Sequence, residues 1–466
     1  MLFYHIHYME VAWMLGKIFD RFVEKSPVSV MARGLLERVL DSKKINAIFE
    51  RVANRQYTRE LLFSIVFDLM SQVVCGSHKS LNAAYQASAQ EIGVSVTSIY
   101  NKVNGIETET SASLVRYSAE AVTPIIEEMG GMLPPLLPGY RVKILDGNCI
   151  EATEHRIREL RGTAAGPLPG KSLVVLDPEL KLMVDVFPCE DGYTQERALL
   201  EQVLPTVQAG DCWIEDRNFC TLKFIFGVNK RDAFVVVRQH LNLPWEPLAK
   251  FKKVGRIDGA TVSEQPIVVR DDEGNELRLR RIRIHLDTPT RDGDQDVFVL
   301  TNLPKKVNAK KIATLYRNRW KIETAFQELA KHLNSEINTL GYPKAALFAF
   351  CIALIAYNVM SVITAALRSV HGVDVVEQEV SGYYVADELS AVYQGMMIAI
   401  PEKHWQVFGR MTHREFADIL RVLASKVNLR RFKKHPRGPK KPQPKRTYDK
   451  KHPHVSTFRL IAARKS

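Results

Sequence analysis

Three acidic residues stand where two strands and a helix could bring their carboxylates together. Asp146 follows the apolar, strand-like run RVKIL, and Asp216 ends the similar run CWIED. Glu323 lies in a segment whose pattern predicts one long helix from about Asn308 to Leu333. If the two strands are neighbours in a sheet, their aspartates lie side by side at one edge, and the helix supplies the third acid. Three converging carboxylates raise one another's pKa, and two Mg²⁺ ions are the usual way to neutralise them.

Such a pair of cations would support phosphoryl transfer. One ion can lower the pKa of an attacking water or hydroxyl, while the other stabilises the leaving oxygen. A rotation of about 100° per residue puts Tyr316, Arg319 and Glu323 on one helix face, where a hydroxyl and a guanidinium fork suit a phosphate. The alternative is an ordinary i,i+4 ion pair between Arg319 and Glu323 on a solvated face. The sequence contains no P-loop motif, so ATP is not implied.

The pattern of strands and helices around these residues predicts an α/β protein. From about 140 to 240 the order is β-β-β-α-β-α-β, which predicts a mixed sheet with helices packed on it. The alternating run 266–286 predicts a β-hairpin that turns at Gly274-Asn275, with a bulge at Arg280-Arg281. Six cysteines without a C-x-x-C pair exclude a disulfide scaffold and a zinc ribbon, and 466 residues suggest about three domains.

The first 130 residues or so have the three- and four-residue apolar spacing of helices. Within 81–105, Ala89, Gly93 and Ile99 occupy the positions that a helix-turn-helix gives to a small residue, a turn glycine and a core aliphatic residue. Such a motif would present a set of polar residues to a DNA groove, namely Ser95, Thr97, Ser98, Tyr100 and Lys102. A plain helical hairpin fits the same segment equally well.

The segment 345–367 has 23 residues without a charge and must be weighed as a membrane span. It contains Tyr357, Asn358 and Ser361 and stands alone in a chain whose first 429 residues have no net charge. We therefore favour a helix buried on all sides. A membrane-associated protein that uses this segment and a basic tail is the alternative.

The basic residues are concentrated at the C-terminus. Residues 430–466 hold 14 of the 65 lysines and arginines but only one of the 52 acidic residues, so the whole net charge of +13 lies there. Five prolines forbid a regular helix in this tail. We predict a flexible, polybasic segment that clamps DNA without reading its sequence, through residues that include Lys440, Lys441, Lys445 and Arg446.

Taken in order, these features resemble the DDE transposases of bacterial insertion sequences, and more narrowly the insertion sequence four group with its Tyr-Arg-Glu-Lys signature. The likeness rests on Asp146-Gly-Asn, on Asp216-Arg-Asn-Phe, on a β insertion and on Tyr-x-x-Arg-x-x-x-Glu in a helix, and it covers roughly 80–457. The signature lysine departs from the pattern. Its place is taken by Ala330, and Lys331 follows one residue later, about 100° around the helix.

The resemblance implies an RNase H-like catalytic domain, two divalent cations (Mg²⁺, with Mn²⁺ as an alternative) and cut-and-paste DNA transposition. Asp146, Asp216 and Glu323 would be the catalytic, metal-binding acids. Tyr316, Arg319 and Lys331 would contact DNA. The implied partners are the terminal inverted repeats, the target DNA and a second copy in a homodimeric synaptic complex, without ATP or a membrane, in the cytoplasm and nucleoid of a bacterium. A catalytically inactive DNA-binding protein of the same fold is the alternative.

These observations divide the chain into five predicted regions. They are a helical N-terminal DNA-binding domain (1–130), an RNase H-like catalytic domain (140–240 and 297–370), a β-rich insertion (241–296), a C-terminal helical region (371–429) and the polybasic flexible tail (430–466).

Overall fold

A computed structural model describes residues 15–56, 58, 60–163, 166–290, 293–435 and 454–464. Its N-terminal part is helical, as predicted. The helices are α1 (Asp20–Lys25), α2 (Pro27–Val39), α3 (Ser42–Val52), α4 (Phe63–Val74), α5 (Leu81–Ser88), α6 (Val96–Gly105) and α7 (Thr108–Met129). Helix α7 ends at Gly130, whose left-handed φ of 65° suits a residue without a side chain.

One mixed sheet forms the centre of the fold. Its strands are β1 (Arg141–Cys149), β2 (Pro167–Leu168), β3 (Lys171–Asp177), β4 (Leu182–Cys189), β5 (Asp211–Glu215), β6 (Phe234–Arg238), β7 (Glu246–Pro247), β8 (Lys252–Ile257), β9 (Ala260–Arg270), β10 (Glu276–Leu286) and β11 (Asp296–Thr301), with β2 standing apart from it. The order is β4-β3-β1-β5-β6-β11-β10-β9-β7, and β8 also pairs with β9. Strand β1 is antiparallel to β3 and parallel to β5, and β6 continues the parallel part. This is the α/β, RNase H-like arrangement that the resemblance implies.

The predicted insertion extends this sheet. Strand β10 pairs with β11, which pairs with β6, so the hairpin β9–β10 extends the same sheet beyond β6. The bulge predicted at Arg280-Arg281 is wrong, because both residues pair in an unbroken register with Pro266 and Gln265. The alternation of polar and apolar residues breaks there because both arginine side chains, on opposite faces of the strand, have interaction partners. Arg280 bonds Glu264, and Arg281 lies over the ring of Phe298 at 3.9 Å.

Alternate residues of the strands pack on opposite faces of the sheet. Ile144 and Ile214 belong to the large helical core, whereas Leu145 and Trp213 face a smaller core. The smaller core is covered by α8 (Leu200–Val203) and α9 (Leu222–Asn229). Because side chains alternate along a strand, Asp146 and Asp216 belong to the large-core face.

The predicted helix from Asn308 to Leu333 is two helices, α10 (Ala309–Arg317) and α11 (Trp320–His332). Asn308 begins α10 by accepting a hydrogen bond from the Lys311 amide. Between the helices, the amides of Asn318 and Arg319 bond the carbonyls three residues back, which tightens the turn. The expectation of one continuous helix is therefore wrong at this point.

The long apolar helix α12 (Pro343–His371) lies in the core. It is long and apolar enough to cross a membrane, but 89% of its most apolar window is buried inside the protein. This confirms the prediction of a helix buried on all sides. The buried amide of Asn358 fixes the helix to the sheet. It accepts from the Met183 amide at 2.8 Å and donates to the Met183 carbonyl and the Ser118 hydroxyl, each at 3.0 Å.

The C-terminal region is helical, with α13 (Val373–Glu379), α14 (Gly382–Ala399), α15 (Glu402–Arg410) and α16 (His413–Ser425). The predicted free tail is wrong at both of its described ends. Lys433 forms a β-bridge with Val380, and residues 454–464 return to the sheet domain as β12 (Val455–Ser456) and α17 (Thr457–Ala463). Both ends are held by backbone pairing. The prediction of a free tail rested on its charges and prolines, which carry no information about such pairing. The tail residues Lys440, Lys441, Lys445 and Arg446 lie outside the described residues.

Replacing Asn358 with alanine should destabilise the protein by about 3 kcal/mol, because it leaves the buried polar groups of Met183 unpaired. Urea unfolding followed by circular dichroism measures this. Thr364→Ala is the matched control on the same helix, since its hydroxyl bonds only the Met360 carbonyl one turn back. It should cost less than about 1 kcal/mol. Equal effects of the two substitutions would contradict the anchoring role of Asn358.

Candidate active site

The two aspartates lie next to each other at the end of paired strands. The last residue pair between β1 and β5 is Leu145 with Glu215, so Asp146 and Asp216 follow at the same edge. The prediction that Asp146 ends its strand is wrong. Strand β1 continues to Cys149, and beyond Leu145 it pairs with β3 alone. Asp216 directly follows β5, as predicted. The strands predicted to be neighbours are neighbours.

Arg319 links the first and third acids. Its Nη1 lies 3.1 Å from Asp146 Oδ2, and its Nη2 lies 2.7 Å from Glu323 Oε1. The Arg319 side chain is 11% exposed, and that of Asp146 is 17% exposed. The i,i+4 pair with Glu323 therefore exists, but its arginine is largely buried, whereas Glu323 is partly exposed. Tyr316 is buried beside it and hydrogen bonds the same arginine.

The charges of this cluster interact strongly. Burial raises the pKa of Asp146 to about 7, and the carboxylates of Glu323 and Asp216 add to the rise, while Arg319 and the Gly147 amide oppose it. Burial alone would lower the pKa of Arg319, yet Tyr316 and the three acids raise it. Burial also raises the pKa of the Tyr316 hydroxyl to about 12. Arg319 therefore stays charged and balances carboxylates that repel one another.

The residues fit a divalent cation by the chemistry of their donors. Carboxylate oxygens are hard ligands of the kind that Mg²⁺ prefers. Burial is the main cause of the raised pKa of Asp146, and the repulsion from Glu323 and Asp216 that adds to it is one that a cation would relieve. Within the described part of the chain, no three His, Cys, Asp or Glu side chains form a metal-holding group. The guanidinium of Arg319 instead stands between Asp146 and Glu323.

The other predicted contact residues are more scattered. Helices α5 and α6 occupy the two arms of the predicted helix-turn-helix, and Ile99 is buried in the core. Ser95 caps α6, and its hydroxyl pairs with that of Ser98. Lys102 lies over the ring of Phe49 at 4.2 Å. Ala330 is exposed on α11, and the side chain of Lys331 lies outside the described ones. A role for these residues in DNA binding stays a prediction.

A group of basic residues that the sequence patterns did not single out lies on the outer part of the sheet and on helix α10, and we name it the basic strip. It consists of exposed lysines from strand β8 and its flank and from helix α10, namely Lys250, Lys252, Lys253, Lys310 and Lys311. None of the five forms an ion pair with another described residue. Lys310 lies along β8, since a Cβ at Gly255 would be 3.6 Å from its Cδ. Helix α10 begins at the strip and ends beside Tyr316, so it connects the strip to the site. The repeated Lys-Lys pairs were the available signal.

In protein free of divalent cations, carbon-13 NMR should show Asp146 titrating near pH 7. The folded protein keeps a proton on Asp146 that an unfolded chain releases near pH 3.8. The contribution of this proton to the free energy of unfolding is therefore lost as the pH rises through about 7. Arg319→Ala should raise this midpoint further, because the opposing positive charge is lost, and Glu323→Gln should lower it. A midpoint at the ordinary value of 3.8 would contradict this account of the cluster.

Comparisons with known proteins agree with this geometry. Residues 137–359 match the family described as Transposase DDE domain, a range that contains all three acids. A protein of Sinorhizobium fredii (strain NBRC 101917 / NGR234) named "Putative transposase y4zB" is 26% identical over 160 residues. That alignment covers 34% of this chain and 43% of the relative, so less than half of the relative is spanned.

The cryo-EM structure of the piggyBac transposase synaptic complex with hairpin DNA aligns with 81% of this chain and 83% of its own, at a TM-score of 0.38 and 11% identity. A likeness this distant adds nothing to the geometry. The family match and the three acids at one sheet edge agree with the resemblance drawn from the sequence. Residues 137–359 of this chain are a DDE transposase domain of the kind found in insertion sequences.

Proposed function

We propose that this chain is a DNA transposase that cuts at the ends of its own element and joins the freed strand to target DNA. The observation that carries the proposal is geometric: Asp146 and Asp216 follow paired strands at one sheet edge, and Arg319 links Asp146 to Glu323. The name of the Sinorhizobium fredii relative supports it. Cleavage breaks a P–O bond with water, and strand transfer exchanges one phosphodiester for another, so neither step needs ATP.

In this proposal the three carboxylates hold divalent cations, and Mg²⁺ is the preferred ion. When bound, such ions lower the pKa of the attacking water or hydroxyl and stabilise the leaving oxygen. Asp146 and Asp216 would bind from two adjacent strands, which a sheet holds rigidly. Glu323 would bind from the first turn of α11, and its carboxylate is 43% exposed, so it is open to substrate.

Arg319 and Tyr316 would orient the substrate phosphate. The guanidinium fork of Arg319 matches two phosphate oxygens, and the neighbouring acids keep it charged. The high pKa of Tyr316 keeps its hydroxyl protonated at neutral pH, so it can donate a hydrogen bond. Both residues flank the tight turn between α10 and α11. This turn lets a residue of each helix contribute to the same site.

The basic strip is proposed to guide the DNA backbone toward the acids. Lysines that lack acidic partners within the described structure attract phosphates and release counterions when DNA binds. Lysines on an edge strand such as β8 also prevent edge-to-edge aggregation, which is the structural alternative. The lysines of α10 favour the DNA role, because a helix has no strand edge to protect.

Asp146→Asn, Asp216→Asn and Glu323→Gln should each reduce cleavage of DNA carrying the terminal inverted repeats by several orders of magnitude. Binding to that DNA should persist, because phosphate and groove contacts made elsewhere supply the affinity. A gel assay with and without Mg²⁺ measures both. Glu215→Gln is the matched control. Burial raises the pKa of Glu215 well above its usual value. Its side chain shares the strand face of Trp213, opposite that of Asp216.

Near-normal Mg²⁺-dependent cleavage by any of the three acid variants would refute the catalytic assignment. Binding without cleavage by the unsubstituted protein would instead favour the alternative, an inactive DNA-binding protein.

A triple variant with Lys252, Lys253 and Lys310 changed to glutamine should bind random and specific DNA more weakly by similar factors. If each lysine meets one phosphate, the slope of log K against log salt should fall in magnitude by about 2.7. A second triple variant, with the exposed Lys17, Lys25 and Lys43 changed to glutamine, loses the same net charge from the N-terminal helices. Equal salt slopes for the two variants would contradict a specific role for the strip.

A further inference from the structure

The described C-terminal end of the chain docks on the DDE domain. We name residues 454–464 the C-terminal clasp. Its strand β12 pairs in parallel with β2, Val455 with Pro167 and Ser456 with Leu168. Ser456 and Thr457 are buried in this contact. The clasp lies outside the range 137–359 that matches the family domain.

Polar contacts fix the clasp at one acidic residue. Asp191 accepts from the Ser456 hydroxyl at 2.6 Å and from Arg459 Nε at 2.8 Å. Burial alone would raise the pKa of Asp191, but the hydrogen bonds from Ser456, the Tyr193 amide and Arg459 lower it. The Tyr193 hydroxyl also donates to the His454 carbonyl. The contact thus joins backbone pairing to a charged anchor, which is the pattern of strand-addition docking.

The receiving surface is shaped for a close backbone approach. A Cβ at Gly166 would lie 2.9 Å from the His454 ring, so only glycine fits there without a shift. The Gly166 carbonyl accepts from the Val455 amide at 3.3 Å. On the far side, Arg464 pairs with Glu159 at 2.9 Å. Ionic contacts therefore lie in the middle and at the end of the clasp, and a tight glycine contact lies at its start.

The clasp contacts the connection between β1 and β3, which follows Asp146. Inside this connection, the Thr153 amide donates to the Pro167 carbonyl at 2.9 Å. On its other side, the Glu151 amide donates to the Glu336 carboxylate, and the Glu154 amide donates to the Asn338 carbonyl. The connection, 150–168, therefore touches the clasp on one side and the segment after α11, the helix of Glu323, on the other.

We propose that the C-terminal clasp is a positioning element for the active site. By adding a strand to β2 it holds the connection 150–168, and this connection braces the strand of Asp146 against the segment that follows the helix of Glu323. The catalytic consequence rests on the proposed transposase function, whereas the ordering of the connection does not. The clasp site recognises one partner, the chain's own C-terminal peptide.

The test uses the chain ending at Pro453, which keeps the polybasic residues 436–453 and loses the clasp. Hydrogen exchange followed by mass spectrometry should show amides of 150–168 exchanging about tenfold faster or more, with β5 and β6 unchanged. A synthetic peptide of residues 454–466 should restore protection. The same peptide with Phe458→Ala is the matched control and should restore it equally, because Phe458 is 41% exposed. A peptide with Arg459→Glu should fail, since it repels Asp191.

A full-length variant guards against general misfolding of the truncated chain. Arg459→Glu should accelerate exchange in 150–168 alone, and Arg459→Lys should keep most of the protection. On DNA carrying the terminal repeats, the truncated chain should lose about tenfold in kcat at unchanged DNA affinity, and the peptide should rescue kcat. Unaltered exchange in 150–168 after truncation, or no rescue by the peptide, would overturn the proposal. Absence of cleavage by the unsubstituted protein would refute only the proposed function, because the exchange result stands independently.

Discussion

A 29-residue apolar helix, Pro343–His371, has to be covered on every side, and the rest of the fold follows from this constraint. Leaving such a helix in water would expose an apolar surface far larger than a soluble protein tolerates. The N-terminal helices, strand β4 and the C-terminal helices all pack around it. One continuous core therefore runs from Leu15 to Phe432, and the predicted N-terminal, catalytic and C-terminal regions share it. The amide of Asn358 fixes the position of the helix against β4 within this core.

The same core fixes the position of the acids. Strands β1 and β5 lie side by side in the sheet, so Asp146 and Asp216 come together by backbone register, which is more rigid than any loop. Glu323 arrives on a separate helix, and Arg319 connects it to Asp146. A buried arginine between repelling carboxylates supplies the positive charge that this partly desolvated cluster requires.

In the proposed function, different parts of the molecule contact DNA and carry out cleavage. The acids lie where β1 and β5 meet α11, while the basic strip lies on β8, its flank and the start of α10. The tail, which carries the whole net charge, is held to the body at its described ends. This separation explains why loss of an acid and loss of a lysine are expected to have different effects. The first removes a ligand for the reacting groups, and the second weakens an electrostatic contact whose strength depends on salt.

The sequence alone determined which residues could do chemistry, because residue type and local period are written in it. Asp146, Asp216, Tyr316, Arg319 and Glu323 stand out by type and spacing, and the strand order and the apolar helix follow from hydrophobic period. Tertiary contacts decided what local patterns do not encode. The turn between α10 and α11, the regular pairing at Arg280 and Arg281, the bridge from Arg319 to Asp146 and the return of the C-terminal clasp to Asp191 all depend on partners distant in the chain. A local sequence pattern reports propensity and period, whereas burial and pairing between distant residues are set only when the chain has folded.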